Sequence, residues 1–222
     1  MNELSSPYND RELYSKVCIK PYQINNDLYL NLKNNLKKNK EKKCNEYGYI
    51  TKIYKILDFT DGEIIPENLD GSAIYNVKFS CRLCLPKIKQ KIICKVAFIN
   101  KLFVKTINGP IISVTLVKSE EVSNNFTINN LNEIEHVKTK SKLKPNDNVI
   151  LIVKGVKFES RDQKIVLNSI LYDIPSEDEV NKFFNENFES EKIEEINNDF
   201  EEVSENEDEN EKDYNNNNYM NL

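Results

Sequence analysis

Cysteine is the residue type whose spacing first invites chemistry in this sequence. Cys81 and Cys84 stand two residues apart in the stretch SCRLCL, and Cys94 follows ten residues later. That spacing suits half of a zinc site or a redox pair. The surrounding pattern argues otherwise. Ala73, Tyr75, Val77, Phe79, Cys81 and Leu83 alternate with Ser72, Asn76, Lys78, Ser80 and Arg82, a period of two sustained for twelve residues. In such a strand positions i and i+3 point to opposite faces. Cys81 then lies in the core and Cys84 on the other side, and the two thiolates do not converge on one metal. There is no second Cys-x-x-Cys, and His136 is the only histidine. Cysteine as a small buried apolar residue is the reading that fits.

Other chemistry finds little support. Asp58, Asp61, Glu63, Glu67 and Asp70 form a carboxylate-rich segment that suits magnesium in type, but they fall in a predicted loop without a rigid frame. No glycine-rich phosphate loop and no Gly-x-Ser-x-Gly elbow occurs. His136 falls in a polar insertion, where it reads as exposed and uninvolved. We therefore expect no catalytic residue, no metal site and no cofactor.

Charge divides the chain more sharply than its total shows. The 222 residues carry a net −5, yet 176–222 hold 17 Asp and Glu against three Lys, a net −14 that leaves residues 1–175 at +9. A tail so poor in apolar residues is expected to be disordered after a short amphipathic helix around Val180, Phe183, Phe184 and Phe188. The apolar runs are too short to span a bilayer and no export signal precedes them, so an intracellular protein with reduced cysteines is expected.

Elements follow from periodicity. Residues 1–12 read as a mobile leader, and Val17 and Ile19 as a short strand ended by Pro21. Leu28, Leu32 and Leu36 recur every four residues behind an Asn26 cap, which predicts a helix with one buried stripe. YGYITKIYKIL then reads as a strand covered on both sides, with Tyr49, Ile53 and Leu57 on one face and Ile50, Tyr54 and Ile56 on the other. After Pro86, a second set of strands places Ile92, Cys94, Val96 and Phe98 on one face. Leu102 and Val104 flank an outward Phe103, and Ile112, Val114 and Leu116 follow the Gly109-Pro110 turn. About thirty polar residues with a helix near 129–136 come next. Strands over 148–158 and 163–172 close the set. Five short strands with a break after the third predict a barrel of the OB type, which binds single-stranded nucleic acid on exposed aromatics in a basic groove.

At this point the order of features resembles a known family. The strand, helix, KCNEYGYITKI, the loop DGEIIPENLDGSAIYNVKFSCRLCLP and a barrel containing LFVKTINGPIISV are similar to the stalk subunit of DNA-dependent RNA polymerases. That family comprises the seventh subunit of eukaryotic polymerase II and its archaeal E counterpart. The resemblance covers about residues 13–173 and rests on Cys44, Gly48-Tyr49-Ile50, Gly62 to Gly71-Ser72-Ala73, Asn76-Val77-Lys78 and Gly109-Pro110. Two positions depart from the family, which tends to place glycine after the barrel-entrance proline and again before the aromatic strand. Here those stretches read PKIKQKIICKV and NKLFV.

The resemblance implies an α+β, two-domain rod. An RNP-like tip domain, antiparallel sheet plus helix, spans 13–85, and a five-stranded OB-fold barrel spans 86–175, followed by the acidic tail, 176–222. It implies a non-catalytic subunit that docks on polymerase core subunits through Cys44, Tyr47, Gly48, Tyr49, Pro66, Asp70 and Gly71. A helical partner, the fourth subunit or its F-type counterpart, would pair along the seam between the domains. The RNA surface expected for single-stranded RNA comprises Lys101, Phe103, Lys105, Lys154, Lys157, Arg161 and Lys164. The source would be a nucleus, or the host cytoplasm or virion of a large DNA virus. A free-standing OB-fold RNA-binding or translation-type factor is the main alternative, and a metal-dependent nuclease the third.

Overall fold

A computed structural model describes residues 4–64, 70–118, 120–128 and 133–185. Pro66, Glu67, Phe188 and the acidic run beyond 185 lie outside the described residues. The chain is mostly β. It runs β1 (Tyr8–Ile19), a 3-10 turn (Pro21–Gln23), α1 (Leu28–Lys40), β2 (Lys43–Asn45), β3 (Gly48–Phe59), β4 (Glu63–Ile64) and β5 (Ala73–Cys84). It continues with β6 (Lys91–Ile99), β7 (Phe103–Asn108), β8 (Ile111–Leu116), β9 (Phe126–Ile128), β10 (Ile134–His136), β11 (Asn148–Lys157) and β12 (Ile165–Asp173). Residues 177–185 are helical.

The first five strands form one antiparallel sheet in the order β1-β5-β3-β2, with β4 on the end of β5. The expected mobile leader is not what the structure shows over its second half. Tyr8 to Glu12 pair residue by residue with Cys84 to Ser80, so the first strand starts well before Val17. Asp10, Arg11 and Glu12 hide this in the sequence because only Leu13, Val17 and Ile19 of this edge strand are buried. Leu32 and Leu36 of α1 lie on the sheet fully buried, each contributing roughly 1.5–3 kcal/mol of apolar burial. The residue before the helix is Asp27, and Asn25, not Asn26, accepts its backbone N–H.

β3 corrects the two-face reading. Bulges between Ile50 and Lys52 and between Ile53 and Ile56 re-phase the strand, so Ile50, Ile53 and Ile56 all join the core under α1. A bulge inserts one residue opposite a single partner and so shifts every later side chain by one face. β5 keeps the expected alternation without interruption. Cys81 lies in the core beneath α1, while Cys84 belongs to the barrel's core.

The second set of strands closes into a barrel, β11-β12-β8-β7-β6, with β12 and β8 parallel and the other pairs antiparallel. It closes without the two family glycines. Lys89 takes φ +68° in the turn after Pro86 and donates its N–H to Val153 O at 2.7 Å. β8 sits in the opposite phase from the expected one. Ile111, Ser113 and Thr115 are buried and Ile112, Val114 and Leu116 face outward. The inward hydroxyls are paid by one another, with Ser169 Oγ 2.7 Å from both Ser113 Oγ and Thr115 Oγ1.

The long insertion forms a ribbon where a helix was expected over 129–136. β9 and β10 pair antiparallel, and 129–132 lie outside the described residues. Phe126, Ile134 and Leu143 from this insertion enter the barrel core, as does Phe183 from the helical residues beyond β12.

Candidate nucleic-acid interface

Pairing register builds one continuous row across the outside of the barrel. Lys157 lies opposite Val166, Val166 opposite Ile112, Ile112 opposite Ile107 and Ile107 opposite Lys95. A second row runs Asn168, Val114, Lys105, Phe98, and Phe103 faces Leu116 beyond it. Directly opposed residues point the same way from their strands, so the first row winds around the outside of the closed barrel while Phe98, Lys105, Phe103 and Leu116 stand together on β6, β7 and β8. Phe98 and Phe103 are 6.1 Å apart between ring centroids, with planes at 50°. Two adjacent rings offer a stacking platform worth about 1–3 kcal/mol per base, and the lysines attract phosphates without reading sequence.

The predicted RNA-binding residues divide. Lys101, Phe103 and Lys105 lie together at the start of β7, whereas Lys157 ends β11 at the head of the β11–β12 turn. Lys154 instead pairs with Glu121 at 3.4 Å. Arg161 and Lys164 belong to the β11–β12 turn at the opposite end of the barrel, where Arg161 takes φ +78°. Phe98 and Lys95 escaped the sequence reading. Alternation with Ile92, Cys94 and Val96 put Phe98 inside, but a bulge between Val96 and Phe98 turns it out to 51% exposure.

The predicted docking residues also separate. Cys44, Tyr47, Gly48 and Tyr49 sit at the barrel end of the sheet. Cys44 N donates to Asp162 O at 2.7 Å, Arg161 N donates to Cys44 O at 2.8 Å, and the Cys44 thiol lies 3.9 Å from Lys164 O. Gly48 is required here. Its φ is +131°, and a Cβ would stand 2.9 Å from Cys84 O. Tyr49 is half-buried, and its burial raises the phenol pKa. Tyr47, exposed, borders two adjoining grooves, one of about 540 Å³ on the sheet and its connection to the barrel and one of about 610 Å³ that reaches the β11–β12 turn. Leu13, Leu83 and Leu85 line the first; Ile50, Phe79 and Phe158 line the second.

Asp70 and Gly71 occupy the other end of β5. Ala73, two residues on, pairs with both Ile19 and Ile64. Twelve residues of strand put about 36 Å between that end and Cys84. Asp70 accepts the Ser72 N–H at 2.9 Å, and that bond holds its carboxyl below the usual range. Beside Gly71 runs Pro21, followed by Tyr22 and Ile24, which with Ile64 expose an apolar pole; Tyr22 is 75% accessible. Tyr22, Ile24 and Ile64 had no signal in periodicity, because a three-residue turn, a loop and a two-residue strand are too short to carry one.

His136 overturns its sequence reading. It is 5% exposed, packs 5.3 Å from the Phe126 ring and lies with Nε2 2.9 Å from Asp173 Oδ1. A carboxylate only accepts, so Nε2–H donates, and in the neutral ring Nδ1 accepts from Thr139 Oγ1 at 2.9 Å. The histidine pins the β9–β10 ribbon to the end of β12. Among the described residues no three His, Cys, Asp or Glu are grouped to hold a metal, and no helix is long and apolar enough to cross a membrane.

No protein-family model matches the chain. It is 29% identical over 181 residues to a protein of Acanthamoeba polyphaga mimivirus named "Putative DNA-directed RNA polymerase subunit". The match takes in 82% of this chain and 90% of the mimiviral protein. That similarity bears out the resemblance to an RNA polymerase subunit of a large DNA virus.

Proposed function

We propose that this chain is an accessory subunit of a DNA-directed RNA polymerase, acting in transcription in association with other polymerase subunits. The carrying observation is the extent of the match to the mimiviral subunit, which at 82% of this chain must include parts of both sheet and barrel. Within that role we assign a stalk-type division of labour. The apolar pole of Tyr22, Ile24 and Ile64, with Asp70 and Gly71 beside it, docks on the polymerase core. The grooves beside Tyr47 receive a second, helical subunit. The barrel face of Phe98, Phe103, Lys95 and Lys105 contacts single-stranded RNA leaving the enzyme.

Separate ends predict separable losses. Affinity purification of the tagged full chain from its native source should recover large polymerase subunits. Tyr22→Ala with Ile24→Asp should lose them, while Tyr47→Ala should keep them and lose a small helical partner. Recovery of RNA or ribosomal material without polymerase would favour a free-standing OB-fold factor instead.

A further inference from the structure

The connection from sheet to barrel, residues 85–90, is held by the chain's own N-terminal segment. Leu85 N donates to Pro7 O at 2.9 Å, and Ser5 N donates to Lys91 O at 3.2 Å. Leu4 bridges Lys91 in parallel. Between these points the Gln90 amide reaches three acceptors, Ser5 O and Ser5 Oγ at 3.1 Å and Ser6 O at 3.0 Å. Its carbonyl oxygen meanwhile accepts Lys87 N at 2.8 Å, so one side chain ties the turn to the strap. Tyr8 completes the contact. It pairs with Cys84 in the sheet, packs into the barrel core and carries Arg82 over its ring at 5.6 Å. Gly109 leaves room for it, since a Cβ there would meet the Tyr8 hydroxyl at 2.7 Å.

We propose that residues 4–8 are a clasp that sets the direction of the barrel relative to the sheet, with Gln90 as its keystone. A single covalent connection of six residues would let the barrel swing. The clasp on one side and the Cys44–Asp162 and Arg161–Cys44 bonds on the other hold it at two separate places. Opening the clasp leaves the chain connection beside Cys84 and the bonds at Cys44, about which the barrel rocks. For transcription, resting on the function proposed above, a closed clasp keeps the RNA-facing side of the barrel in a fixed direction from the docking pole.

The test needs no polymerase, so its failure is distinct from failure of that reading. Cys18 is the exposed cysteine of the five, the other four being buried. A nitroxide at Cys18 and another at Lys101→Cys report the sheet-to-barrel distance by pulsed electron resonance in the full chain. The clasped protein should give one narrow distribution. Gln90→Ala, and separately Ser5→Pro, which removes the N–H donated to Lys91, should broaden it with loss of the single peak. Circular dichroism should remain that of the parent. A broad distribution already in the parent, or a narrow one in both variants, would overturn the clasp.

Discussion

Burial governs the thiols one residue at a time. It pushes Cys44 up to about 11 and Cys81 and Cys94 up to about 12, from an ordinary 9.0. Cys84 moves in the same direction for the same reason. A thiol raised on folding stabilises the native state fully below about pH 9, and that stability is lost as pH rises through the folded values. Thiolate absorbance from the four buried cysteines should therefore stay absent until pH nears about 11, then rise together with unfolding. Four thiolates already titrating near pH 9 in the native protein would contradict this burial. His136 makes a second residue-scale case. His136→Ala leaves Asp173 with only Asn125, Ile174 and the distant Lys138 as partners. Loss of such a buried, charge-assisted bond should cost about 2–3 kcal/mol in urea unfolding, whereas an exposed histidine would cost nothing.

Elements differ in how much of them the sequence exposes. β5 was legible over its whole length because its alternation is unbroken, and that alone separated Cys81 from Cys84. β3 and β6 were misread for one shared reason: bulges shift the phase in mid-strand, and Ile53 and Phe98 land on faces that simple counting forbids. β8 misled in another way, since it buries hydroxyls and exposes aliphatics, against hydropathy. The turn at Lys89 holds a non-glycine residue at positive φ. Lys89→Gly should relieve that strain and raise stability by about 1 kcal/mol, seen as a higher midpoint with an unchanged slope. On the barrel face, Phe98→Ala and Phe103→Ala should each weaken single-stranded RNA binding by about 1–3 kcal/mol whatever the sequence. Lys105→Ala should instead flatten the salt dependence, by roughly 0.7 in the logarithmic slope. If neither phenylalanine matters, the outer face is not the RNA surface.

At the scale of the molecule, the order of sheet before barrel could be read from the chain, but the contacts between them could not. Cys44 and Asp162, like Ser5 and Lys91, are far apart in sequence and meet through backbone bonds that carry no residue-type signature. The two segments expected to dock looked like neighbours in the chain, and the straight run of β5 sets them at opposite ends. Charge is a whole-molecule property too. Removing 186–222 takes the net charge from −5 to +7, and attraction for a polyanion scales with that field. The truncated chain should bind RNA faster at low salt, with the difference vanishing as salt is raised; equal rates at low salt would deny the tail any electrostatic role.

Cys44 and Cys84 lie on strands of the sheet yet pack into the core of the barrel. The place where the backbone passes from one half to the other is therefore not the place where the two cores divide. A fragment ending near residue 85 would carry an apolar edge built for a missing neighbour, and the barrel alone would lose part of its floor. Calorimetry of the intact chain should accordingly show one melting transition, with the van't Hoff and calorimetric enthalpies equal, and neither half expressed alone should melt as a well-packed domain.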